Sequence, residues 1–147
     1  MATSLKHKTQ NALDEARTLI LGVQIFVGAL FRAVFEPGFQ RLDTISKNLL
    51  ICALGLFLLS LTLLVLPAPY HHLVVRNRET EEFNRFVVKV MFAGLIPFAL
   101  SLGISLYIGT LIVSGPSLAV LLGVSVTVLA LFFWYGMGLV TRGAKSR

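Results

Sequence analysis

Leu49-Leu50-Ile51-Cys52-Ala53-Leu54-Gly55-Leu56-Phe57-Leu58-Leu59-Ser60-Leu61-Thr62-Leu63-Leu64-Val65-Leu66 runs for eighteen residues without a charge. A helix rises 1.5 Å per residue, so about 20 mostly apolar residues cross a hydrocarbon core of about 30 Å. Three further stretches read the same way, at 18–35, 86–113 and 118–140. The expected fold is all-α: a polytopic membrane protein, one four-transmembrane-helix bundle with short loops, filling residues 1–147 as a single domain. Composition agrees, with 56% hydrophobic residues, 14% charged and a mean hydropathy of +0.82. A soluble domain of this size could not cover that much apolar surface.

The net charge of +6 would suggest nucleic acid in a soluble protein. Here the cations flank apolar spans, which points to anionic lipid head groups and away from nucleic acid. Lys6, Lys8 and Arg17 precede the first span, Arg76, Arg78, Arg85 and Lys89 lie between the second and third, and Arg142, Lys145 and Arg147 follow the fourth. These are ten of the thirteen basic residues, and the positive-inside rule places both termini and the middle connection in the cytoplasm. Tyr70, Trp134 and Tyr135 then fall at inner span ends and Tyr107 toward an outer one, depths that amphipathic rings prefer. The flank of the first span carries Asp14 and Glu15, and no small-residue cleavage site follows it, so this span reads as retained rather than as a signal peptide. The single cysteine, Cys52, allows no internal disulfide and reads as a small packing residue.

Residues 1–10 are polar and without apolar period, so they are expected to fray. Helix is expected from Asn11, with Ala12, Ala16 and Leu19 or Ile20 on one face, suited to lie on the membrane before the chain turns into it. Glu36-Pro37-Gly38 breaks the first span and Pro67-Ala68-Pro69 the second. The third helix is expected to start in the cytoplasm at about residue 78, supported by the i,i+4 pairs Arg78–Glu82 and Glu81–Arg85. Pro97 inside that helix leaves the Ala93 carbonyl without its donor and predicts a bend. Ser114-Gly115-Pro116-Ser117 is so short that spans three and four must be antiparallel neighbours. Small residues at four-residue spacing let helices approach closely in lipid, which nominates Pro97, Ser101, Ser105 and Gly109 on one side and Ala119, Gly123 and Thr127 on the other. No internal repeat relates the two halves.

Only the first span carries a polar stripe: Gln24, Gly28, Arg32 and Glu36 recur every fourth residue, with Arg17 on the same side. Polar groups in a membrane are costly and usually paired, so the stripe is expected to face the bundle interior or a wet cavity. The plainer alternative is an Arg32–Glu36 pair in the outer interface, with Arg32 snorkelling. His71 and His72 are weak metal candidates, because adjacent histidines diverge and the only other one is His7. No nucleophile stands in an arrangement with a base, and no phosphate loop, zinc spacing or CxxC is present. Neither an enzyme nor a cofactor is expected.

Glu15-Ala16-Arg17 followed by Leu21-Gly22-Val23-Gln24, and Ala68-Pro69-Tyr70-His71-His72 leading into a basic stretch, resemble a family of small bacterial four-helix membrane proteins of unknown function. The resemblance covers most of the chain and implies a bacterial plasma membrane. Members of such families are sometimes labelled sodium/proton antiporters. This sequence departs from that pattern, since antiport needs a carboxylate near mid-bilayer and the nearest, Glu36, sits at a helix end. Two functions are carried forward: a non-enzymatic protein acting through assembly with itself or a membrane partner by its Gln24 and Arg32 face, and a small oligomeric ion or substrate pathway built around that face.

Overall fold

The computed structural model describes residues 2–67 and 81–136, and within them all side chains except those of residues 2–9 and Asn84. The described chain is helical without strands: α1 (Ala2–Phe35), α2 (Pro37–Gln40), α3 (Thr44–Val65), α4 (Glu81–Ser114), α5 (Pro116–Leu131) and a π-helical turn (Phe132–Gly136) that continues α5. Among the described residues four helices are long and apolar enough to cross a membrane: α1, α3, α4, and α5 with its π-turn. The protein is a polytopic four-helix membrane bundle.

The helix ends follow local chemistry. At Glu36 the backbone is extended (φ −73°, ψ 144°) and Pro37 opens the single turn of α2, where the missing proline N–H costs nothing. Helix α3 starts at Thr44, earlier than the apolar run at residue 49, because the Asp43 carboxylate caps it by accepting the Ile45 N–H at 3.2 Å. A hydrogen bond from the Ser46 side chain, with backbone N–H groups behind it, holds the Asp43 carboxyl below its ordinary pKa. Gly115 alone separates α4 from α5, at φ 85°, a conformation that glycine adopts without penalty. One expectation changes. Helix α1 begins at Ala2 rather than after a frayed tail: no proline interrupts it, and the packed span supplies the costly nucleus from which helix propagates. Helix α4 runs through Pro97 without interruption.

Successive spans are antiparallel, and α4 is central, packing broadly against α3 and α5 and more narrowly against α1, which also leans on α3. Two buried hydroxyls tie α3 to α4 in both directions: Ser60 donates to the Gly94 carbonyl at 2.8 Å and Ser101 to the Ala53 carbonyl at 2.9 Å. One aromatic from each spanning helix joins a layer. Phe26 stacks on Phe57 at 5.6 Å, Phe57 meets Phe98 at 5.6 Å, and Phe98 stacks on Trp134 at 5.6 Å. The Tyr135 hydroxyl donates to the Phe92 carbonyl nearby.

Helices α1 and α4 have 34 residues each and α3 has 22. At 1.5 Å per residue the first two exceed a 30 Å hydrocarbon core by about 20 Å. They run parallel, and near their N-terminal ends Ala12, Ala16, Phe83 and Val87 belong to the same buried cluster. The apolar core therefore continues along these two helices beyond what α3 requires. Outside, large hydrophobics face away from the bundle, Ile25 at 73% exposure and Leu121 at 60% among them, as lipid contact demands.

Candidate functional site

The periodicity of α1 divides it into two faces. Ala12, Ala16, Val23 and Leu30 are buried against the bundle. Arg17, Gln24, Gly28, Arg32 and Glu36 are all exposed. The polar stripe thus does not face the interior of the single chain; the apolar residues take that place because burial among α3 and α4 rewards them and penalises unpaired amides.

Along the outer face the charges are already matched. Arg17 Nη1 lies 3.2 Å from Asp14 Oδ1, and Arg32 Nε lies 3.3 Å from Glu36 Oε1. The Arg32 and Glu36 side chains are 83% and 52% exposed, so the other helices of the chain do not cover the pair. Gln24 differs. Among the described residues its amide has no hydrogen-bond partner. It stands seven residues above Arg17 and twelve below Glu36 on the helix, about 10 Å and 18 Å from those charged ends. One turn on, a Cβ added at Gly28 would meet nothing within 4 Å.

The close approach of α4 and α5 falls on residues partly different from those the spacing nominated. Gly103 and Gly123 face each other: a Cβ on Gly103 would lie 2.7 Å from the Gly123 carbonyl and would collide with Thr127 Oγ1, and one on Gly123 would lie 2.8 Å from the Gly103 carbonyl. Ala119 is buried and Thr127 half-buried beside them, with the Thr127 hydroxyl donating to Gly123 O at 3.0 Å. Ser101, by contrast, points to α3, Ser105 donates back to Ser101 O at 2.7 Å, and a Cβ at Gly109 would meet nothing. Pro97 is buried. The correction has a simple cause: α4 packs on both sides, so its small residues are shared between two neighbours. Gly103 carries a signal that four-residue spacing hides, since Gly103 and Thr127 each lie twelve residues from the Gly115 turn.

Around that contact Leu100, Gly103, Tyr107, Val120, Val124 and neighbouring side chains line an open apolar groove of about 360 Å³. Cys52 is exposed rather than packed inside, because the buried line of α3 runs through Ser46, Leu50, Ala53, Phe57, Ser60 and Leu64 and passes it by. The Glu81–Arg85 pair forms at 3.4 Å. Tyr70, His71, His72 and the Arg78–Glu82 pair lie outside the described residues. Among the described residues no group of three or more His, Cys, Asp or Glu could hold a metal ion.

No curated protein and no solved structure matches the chain. A family model does: it is described as a family of unknown function (DUF6328), it matches residues 2–138, and the chain belongs to that family.

Proposed function

We propose that this chain is a non-enzymatic protein of the bacterial inner membrane, both termini cytoplasmic, that works by assembling with itself or a membrane partner through the outer face of α1. The observation that carries the reading is Gln24, an exposed amide without a partner among the described residues, within the first helix long and apolar enough to cross a membrane. Leaving an amide unpaired in an apolar solvent costs about 2–7 kcal/mol. Its side chain is too short to reach a surface about 10 Å away, so a hydrogen-bonding group from outside the chain is the remaining source of relief. The adjacent Gly28 leaves room for another helix to approach. Catalysis has no comparable support: Asp14, Glu36 and Glu81 each sit in an exposed ion pair with an arginine.

Mass measurement after extraction in mild detergent tests the proposal. The parent should exceed one 16.1 kDa chain in protein mass, Gln24→Leu should shift it downward, and His71→Ala or His72→Ala should not. A parent already of single-chain mass, unchanged by Gln24→Leu, would refute the reading.

A further inference from the structure

The exposed face of α1 has a finer order than its polar stripe. Leu21, Gln24, Gly28, Phe31 and Phe35 are separated by three, four, three and four residues. An alternation of three and four averages 3.5 residues, the repeat of a left-handed helix pair whose seam faces a partner. All five are exposed, with Leu21 at 63%, Phe31 at 56% and Phe35 at 74%. The buried line through Ala16, Val23 and Leu30 is a separate seam, already used by this chain.

We infer that Leu21, Gln24, Gly28, Phe31 and Phe35 form the seam on which a second copy of this chain packs, α1 against parallel α1, with the two Gln24 amides hydrogen-bonded to each other across the two-fold axis. The inference rests on the assembly reading above and adds the partner's identity. Copies inserted with the same orientation carry each residue at the same depth, so about a two-fold axis normal to the membrane Gln24 meets Gln24. An amide is both donor and acceptor, which makes such a pair self-complementary. A lipid tail offers neither function.

The charges beside the seam permit the same arrangement. Asp14 at 3.2 Å from Arg17 and Glu36 at 3.3 Å from Arg32 neutralise the cations within each chain, so two identical faces meet without net repulsion. Gly28, one turn after Gln24, lets the backbones come close where the amides must reach, as small residues do at membrane helix contacts. A single polar residue within an apolar seam also fixes its register.

Disulfide trapping in native membranes tests the partner. In a Cys52→Ser background, Leu21→Cys and Phe35→Cys should oxidise to a species of twice the chain mass, because a disulfide needs Cα atoms within about 7 Å. Ile25→Cys, exposed but off the seam, and Leu121→Cys on α5 should not. Adding Gln24→Leu should weaken pairing roughly three- to twentyfold, the range of interhelical hydrogen bonds in membranes. If the seam cysteines form adducts only with proteins of other mass, the second-copy inference fails while the assembly reading stands. If they form no adduct and the parent is single-chain in mild detergent, both fail.

Discussion

At Gly103 two backbone effects oppose each other, and distance decides between them. Replacing a helical glycine with alanine removes about 0.5–1 kcal/mol of entropic penalty. The new methyl at Gly103, however, would sit 2.7 Å from the Gly123 carbonyl on α5, and forcing atoms into a closed contact costs about 1–3 kcal/mol. Gly103→Ala should therefore lower thermal stability in detergent, and Gly123→Ala likewise. Gly109→Ala, with open space around its Cβ, should be neutral or slightly stabilising. Equal behaviour of Gly103→Ala and Gly109→Ala would show that α4 and α5 do not touch there. Spacing alone identified Gly123 and Thr127 but also nominated Ser101 and Gly109. It records that residues are small, not which of two neighbouring helices they face.

The start of α3 carries a pH dependence at the scale of the element. Asp43 caps the helix and its carboxyl titrates below the ordinary Asp value of 3.8, chiefly through the Ser46 side chain. The charged form is favoured in the folded state, so its contribution is fully present above that value. It is lost as pH falls through the lowered pKa of the folded protein. Asp43→Asn keeps a capping oxygen without the titration. Unfolding followed from pH 6 down through the acid range below 3.8 should show a smaller decline for Asp43→Asn than for the parent; parallel curves would remove Asp43 from the account. The helices were the most legible part of the sequence because bilayer thickness fixes their apolar length, as residues 49–66 show. The ends were less so, since Asp43 extends α3 by a polar turn that hydropathy cannot register. On α1 the period of Gln24, Gly28, Arg32 and Glu36 was visible. Its outward direction was not, because a polar stripe excludes lipid without saying whether its cover comes from the same chain or another.

Across the whole molecule, the proposed orientation, with both termini cytoplasmic, rests on the ten of thirteen basic residues that four spans would place on that side. Reporter fusions after Arg41 and after Arg147 should register opposite compartments, the second cytoplasmic; a periplasmic signal after Arg147 would invert the frame. Phe26, Phe57, Phe98 and Trp134 form one aromatic layer across all four spanning helices, while the polar stripe of α1 lies on its exposed face. Whether the outer face of α1 is an assembly surface is decided by the protein mass of Gly28→Leu beside Gly22→Leu in mild detergent. Both glycines have open space within the single chain, so both variants should fold and keep parental thermal stability. Only Gly28 lies on the exposed seam. Gly22→Leu should keep the mass of the parent, expected to be that of two chains, while Gly28→Leu should fall to that of one; equal mass for the two variants would contradict an assembly surface on this face.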